Sequence, residues 1–173
     1  SEEEGTFLVS CAGGARQTVT LPLSREAASP YTYKLSLTGL KGGHSGMDII
    51  KERGNANVLL GRALLALRHE FSFNIGNLKG GSKNNAIPRE AEALLSFQEE
   101  PSGLVDAVKS IEKILAKEIE TQDGGLSLSI QEEKALEGVL LYDEVTTQKA
   151  LGLLGTLPNG VISMSQDIQG LVE

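Results

Sequence analysis

The residues with chemistry to offer gather at two glycine-rich stretches. Leu-Lys-Gly-Gly occurs at 40–43 and again at 78–81. The first copy runs into Gly42-Gly43-His44-Ser45-Gly46; the second leads to Asn84-Asn85-Ala86-Ile87-Pro88-Arg89. His44 lies between glycines, and no apolar periodicity draws it into a core. A loop histidine can donate a hydrogen bond to a developing oxyanion, or act as acid or base near neutral pH. It can also simply be exposed. Asn85 can turn its loop, or present its amide to a substrate's carboxylate or amide. Arg89 can support that contact, or pair with Glu90 or Glu92. Gly42, Gly43, Gly46, Gly80 and Gly81 are either plain strand exits or the mobile parts of two loops that converge around a ligand.

Other chemistries fail on residue type. Neither glycine stretch matches the Gly-x-x-x-x-Gly-Lys-Ser/Thr phosphate cradle, since the order at Gly81 is Gly-Ser-Lys. No Gly-x-Ser-x-Gly nucleophile elbow is present. The only other histidine, His69, ends a helical pattern beside Arg68, where a cation suits the helix C-terminus. The single Cys11 excludes an internal disulfide and a thiolate metal cluster. The glutamates at 2–4 and 132–133 read as solvated. A net charge of −7, with no Trp, 3 Tyr and 4 Phe, argues against a nucleic-acid surface. No apolar run approaches the roughly 20 residues that span a bilayer, and no secretory leader is expected. A length of 173 residues suits one domain or two small ones.

Alternation and helical spacing place these stretches. Thr6 to Cys11 and Thr18 to Leu23 read as short strands. Tyr31 to Thr38 is the clearest strand, with Tyr31, Tyr33, Leu35 and Leu37 on one face. Leu60, Ala63, Leu64 and Leu67 mark a helix from Asn57 to about Arg68, capped by Asn55 or Asn57. Gly61 inside it costs roughly 1 kcal/mol against Ala, which suggests a close backbone contact. Phe71 to Ile75 and Ala91 to Phe97 read as strands. After Pro101-Ser102-Gly103, the residues Leu104, Val108, Ile111, Leu115 and Ile119 stripe an amphipathic helix that ends at Asp123-Gly124-Gly125. Leu126 to Gln131 alternates as a strand. Thr147 to Leu157 is helical, and Pro158-Asn159-Gly160 turns into a further strand from Val161 to Ser165.

From Tyr31 to Gln131 the order is strand, helix, strand, strand, helix, strand. This predicts an α+β fold of the ferredoxin-like split βαβ type, an antiparallel sheet with helices on one face. An incomplete helix-strand extension follows. The first two strands run in the same direction, so both glycine stretches leave from one rim of the sheet.

Three stretches together resemble the lid domain of M20-family metallopeptidases. They are Leu40-Lys41-Gly42-Gly43-His44-Ser45-Gly46, Gly54-Asn55-Ala56-Asn57 and Asn85-Ala86-Ile87-Pro88-Arg89-Glu90-Ala91. With Cys11-Ala12-Gly13-Gly14 and Leu157-Pro158-Asn159-Gly160-Val161, the variant resembles the aminoacyl-histidine (Xaa-His) dipeptidases. The resemblance implies a cytoplasmic two-domain hydrolase. Its catalytic domain would hold two divalent metals, zinc as a rule, and a lid would close over a dipeptide. It implies that His44 stabilises the oxyanion and that Asn85 contacts the substrate's polar end, with Arg89 beside it. It also implies a homodimer in some members.

The family's metal ligands have no counterparts here, so no metal site is expected within this chain. In the family an Asp ligand immediately precedes Ser1-Glu2-Glu3-Glu4-Gly5, which suggests an excised first part of a lid. Residues 1–30 would then lead from the catalytic domain, 31–131 would form the lid core, and 132–173 would start the lid's second part. Two other classes stay open on the residues alone. One is a regulatory module that binds a small ligand at the glycine rim; the other is an oligomerisation domain.

Overall fold

The structure, a computed structural model, describes residues 4, 5, 7, 13–134 and 140–172. In chain order the elements begin with β1 (Arg25–Ala27), β2 (Tyr31–Thr38), β3 (Gly43–His44), α1 (Ala56–Arg68), β4 (Asn74–Gly80) and β5 (Ala86–Ile87). They continue with β6 (Ala91–Phe97), α2 (Leu104–Glu118), α3 (Glu120–Asp123), β7 (Ser127–Glu132), β8 (Leu140–Tyr142) and α4 (Glu144–Thr156).

Tyrosine and leucine side chains alternate with threonine, lysine and serine in β2, so one face can bury; on the other, Lys34 and Ser36 stay partly exposed while Thr32 is buried. Leu35 and Leu37 point inward, as do Ala93, Leu95 and Phe97 of β6. On the opposite face Lys34 pairs with Glu92 at 2.7 Å, and Lys79 approaches the same carboxylate at 3.9 Å. The four long strands form an antiparallel sheet in the order β4-β6-β2-β7. With α1 and α2 as the two crossovers, this is the expected ferredoxin-like topology.

The inner face joins Leu60, Leu64 and Leu67 of α1 and Val108 and Leu115 of α2 in one buried cluster. At one end Phe97 meets Tyr33, Phe71 and Phe73, with ring centroids 5.7, 6.5 and 5.7 Å away. Such edge-on and tilted contacts add about 0.5–1.5 kcal/mol per pair beyond burial.

A second unit, the β1-β8 pair followed by α4, packs beside the β4 edge. Leu141 is wholly buried, and a Cβ on Gly76 would stand 2.3 Å from its Cδ2. Gly76 lies at a β-bulge in β4. The buried Thr147 hydroxyl of α4 accepts the Ile75 N–H beside that bulge, at 3.2 Å. The close contact expected at Gly61 exists: a Cβ there would lie 3.0 Å from the Cβ of Leu154 on α4.

Some expectations need correction. The strand read from Thr6 to Cys11 lies, apart from Phe7, outside the described residues. Thr18 to Leu23 forms no strand; Val19 and Leu23 stay exposed, and pairing begins only at β1. The strand placed at Phe71 to Ile75 lies at Asn74–Gly80, because Phe71 and Phe73 turn to the aromatic cluster first. The second Leu-Lys-Gly-Gly therefore lies in the last residues of a strand, with only Gly81 beyond it, instead of following the strand. Val161 to Ser165 is not a strand either, since its one ladder contact is a single bridge from Met164 to Val172. α4 starts three residues before the expected Thr147, because the Asp143 carboxylate caps it by accepting the Thr146 N–H at 2.7 Å.

Two of the helix glycines, Gly61 and Gly152, have opposite expected responses. Gly61→Leu should lower stability by about 1–3 kcal/mol through overpacking against Leu154. Gly152→Ala, in open space on α4, should raise it by about 0.5–1 kcal/mol. Urea unfolding midpoints check both signs.

Candidate functional site

β2 and β4 each run antiparallel to β6, so they share a direction and their ends share one rim. The two loops that leave this rim are joined by a short ladder. β3 pairs with β5, setting Gly43 opposite Ile87 and His44 opposite Ala86. The Ser45 N–H donates to the Asn85 carbonyl at 3.0 Å. His44 and Asn85 are thereby brought together, as two converging glycine loops require.

His44 is exposed, yet its position is tightly specified. Its N–H donates to Asp48 Oδ2 at 2.8 Å, and its carbonyl accepts the Asp48 N–H at 2.9 Å. Its Nδ1 accepts N–H bonds from Gly46 at 3.1 Å and Met47 at 3.2 Å. An imidazole nitrogen that accepts carries no proton, so the ring's proton sits on Nε2. Nε2 has no partner among the described residues.

The loop glycines leave room for crossing side chains. Gly42 has φ +64°, and a Cβ on it would lie 2.3 Å from Cγ of Arg89. A Cβ on Gly43 would meet Asp48 Oδ2 at 2.7 Å, and one on Gly46 would meet His44 Nδ1 at 3.3 Å. A Cβ on Gly80 would fall 1.9 Å from Asn57 Oδ1, and one on Gly81 would press on Pro88 at 3.3 Å.

The Gly54-Asn55-Ala56-Asn57 run fastens this rim to the core. The Gly54 N–H donates to Asp123 Oδ2 at 3.2 Å, and the Lys41 N–H donates to the same carboxylate at 2.9 Å. Asn55 caps α1 by accepting the Asn57 N–H at 3.0 Å. The Ala56 N–H reaches the Pro88 carbonyl at 3.0 Å, and the Asn55 amide reaches Asn159 Oδ1 at 2.6 Å.

Arg89 lays its stem across Gly42, and its Nε donates to the Leu40 carbonyl at 3.4 Å. The ion pair considered with Glu90 or Glu92 is not formed; Glu92 is taken by Lys34 and Lys79. Two clefts flank the 80–88 loop. One, of about 790 Å³, is lined by Ser45, Arg53, Asn55, Asn57, Lys83 and Asn159 among others. The other, of about 440 Å³, takes in Thr38, Gly43, Gly80, Pro88 and Arg89. Neither His44 nor Asn85 lines either cleft; both stand exposed on the rim between the loops.

Sequence reasoning missed Asp48, Arg53 and Asp123. Asp48 stands four residues after His44, the spacing of one helical turn, which was its one available signal. Arg53 donates to the Gly42 carbonyl and lies 3.9 Å from the Asp48 carboxylate. Asp123 reads as a helix terminator in the sequence but is wholly buried. Among the described residues, no three His, Cys, Asp or Glu side chains come together in a way that could hold a metal ion.

Residues 35–123 match the family described as the M20 peptidase dimerisation domain. The whole chain is 39% identical to the cytosol non-specific dipeptidase of Escherichia coli (strain K12), of which it covers 36%. It superposes on the crystal structure of aminoacylhistidine dipeptidase from Vibrio alginolyticus with a TM-score of 0.81 and 33% identity. That match takes in 88% of this chain and 31% of the other. The chain thus spans about a third of the length of these relatives.

The Lys51 ammonium, 2.6 Å away, holds the Asp48 carboxyl below its ordinary value, helped by the His44 N–H and by Arg53. A depressed carboxyl contributes its hold above the ordinary pKa and loses it as pH falls through the lowered value. The His44 amide proton should therefore titrate by NMR with a midpoint below about 3.9. Lys51→Ala should raise that midpoint. A midpoint at or above the ordinary value would show that Lys51 and the His44 amide do not hold the carboxyl.

Proposed function

The chain belongs to the M20 peptidase dimerisation domain family, and on that premise we propose that it is the lid of a two-metal dipeptidase that cleaves Xaa-His dipeptides. The observation that carries this reading is His44: an exposed imidazole whose Nδ1 is committed and whose Nε2–H is unpartnered among the described residues. Such a group suits donation to charge that develops on a substrate brought to the rim from outside. The oxygen of a peptide carbonyl under attack by water develops that charge.

In this reading His44 donates from Nε2 to the tetrahedral oxyanion. Asn85, opposite the same ladder, and Arg89 meet the polar end of the dipeptide. Gly42, Gly43, Gly46, Gly80 and Gly81 let the two loops approach. Residues 1–30 lead from the catalytic domain, 31–131 form the lid core, and 132–173 begin the lid's second part. The divalent metals, two zinc ions in this reading, belong to the catalytic domain. The partners are that domain, the dipeptide and a second copy of the chain. Both relatives' names support a dipeptide substrate; that of the Vibrio alginolyticus relative supports a histidine-containing one, and that of the Escherichia coli relative, which is called non-specific, supports a cytosolic setting. No described helix is long and apolar enough to cross a membrane.

His44→Ala in the full-length enzyme should lower kcat on an Xaa-His dipeptide by roughly 100-fold or more, the scale of losing one oxyanion donor. An unchanged kcat would reduce His44 to a structural role. The 173-residue chain alone should hydrolyse no dipeptide even with zinc supplied, and measurable turnover by it would overturn the lid reading.

A further inference from the structure

The turn that carries His44 is ordered without a core beneath it. The 3-10 turn at Ile49–Lys51 contains no buried residue, and Met47 and Ile50 are exposed. What orders it is Asp48. The carboxylate accepts the His44 N–H at 2.8 Å while the Asp48 N–H donates back to the His44 carbonyl at 2.9 Å. The histidine backbone is clasped on both sides by one residue. Lys51 holds the other carboxylate oxygen at 2.6 Å, and Arg53 bridges from the carboxylate to the Gly42 carbonyl. A Cβ on Gly43 would collide with this group at 2.7 Å from Oδ2 and 2.8 Å from the Arg53 guanidinium.

The clasp has a chemical consequence. It closes the turn so that the Gly46 and Met47 N–H groups converge on Nδ1. The alternative tautomer, and the imidazolium, would both set a donor against those two donors. We infer that Asp48 is a positioning residue for His44: by clasping its backbone, it fixes the turn that commits Nδ1 as an acceptor and leaves Nε2 as the donor atom. The inference rests on the reading of His44 as an oxyanion donor and adds the device that selects its donor atom. Asp48 itself touches no substrate.

The test uses the full-length enzyme with Asp48→Ala, Asp48→Asn, His44→Ala and the double variant Asp48→Ala/His44→Ala. Asp48→Ala should lower kcat about tenfold, with KM within about twofold, since a misplaced donor weakens the transition state more than the ground state. Asp48→Asn should lose less, because its amide oxygen can still accept the His44 N–H. In the His44→Ala background Asp48→Ala should cost nothing more, the mark of a residue that acts through another. A further loss there, or an unchanged kcat in Asp48→Ala beside a lowered one in His44→Ala, overturns the inference. An unchanged kcat in His44→Ala overturns the oxyanion reading instead.

A second readout then judges Asp48 by itself. This chain has two histidines, so selective ¹⁵N-histidine labelling resolves His44. The wild-type chain should show one tautomer, protonated at Nε2; Asp48→Ala should show a mixture, and Asp48→Asn should restore the single form. A single tautomer in Asp48→Ala overturns the inference. Should Asp48→Ala fail to fold, Asp48→Asn carries the kinetic test, with a smaller loss that vanishes in the His44→Ala background.

Discussion

A buried carboxylate with no ion-pair partner among the described residues holds the glycine-loop rim of this domain to its core. Asp123 is wholly buried, and its charge is met by two backbone N–H groups, those of Lys41 and Gly54. A buried carboxylate is costly unless its oxygens are hydrogen-bonded, and charge-assisted bonds of this kind contribute about 1.5–3 kcal/mol each. The demand constrains three segments at once. The end of the second crossover, the exit from β2 and the start of α1 must meet at one point. Gly54 allows it, since a Cβ there would lie 3.0–3.1 Å from Leu40, Leu59 and Ile119. The carboxylate also sits before the first turn of α1, where the helix dipole favours negative charge.

From that point the rest of the site follows by short steps. With α1 fixed, Ala56 reaches the Pro88 carbonyl and Asn57 lies over Gly80, so the second loop is drawn to the helix start. With Lys41 fixed, the first loop leaves β2 in a set direction, and Arg89 can lie across Gly42. The β3-β5 ladder is then the meeting of two loops already placed. It is only two residues long on each side, too short to bring distant segments together unaided.

The parts legible in the sequence are those where periodicity and burial coincide. β2 and β6 read correctly because Leu35 and Leu37, like Ala93, Leu95 and Phe97, fall on alternate positions that face the core, although the other face of β6 also carries Leu94 and the buried Ser96. α2 read correctly from its leucine, valine and isoleucine stripe, although the helix is interrupted at Ile119 before the short α3. That both glycine stretches leave one rim was legible from topology, because the two strands that lead into them run in the same direction; whether the loops converge stayed open in the sequence, and the β3-β5 ladder is what joins them. The rest depended on partners that no local pattern announces. β8 has three residues and exists by pairing with β1. Thr18 to Leu23 alternates as well as a strand does, but it pairs with no strand among the described residues. Asp48 and Asp123 look like loop and helix-end residues in the sequence, and their importance lies in which N–H groups other segments bring to them.

On the proposed reading of His44 as an oxyanion donor, the hydrogen bonds of its glycine loop gain a purpose. Ordering a backbone residue costs about 1–2 kcal/mol, and glycine loses more than most. Each hydrogen bond formed in the turn returns about 0.5–1.5 kcal/mol net, and little apolar surface is buried there to help. The turn is therefore held near balance and adds little to the stability of the domain. Four of its bonds fall on one residue: His44 N–H to Asp48, His44 carbonyl from Asp48, and Nδ1 from Gly46 and Met47. A loop kept only to connect β2 with α1 would gain nothing by saturating an exposed imidazole on one side. Bonds concentrated in this way reduce the freedom of a single donor, Nε2–H, before anything arrives to use it, and preorganisation of that kind is what strengthens an interaction in a transition state without cost at the moment of reaction.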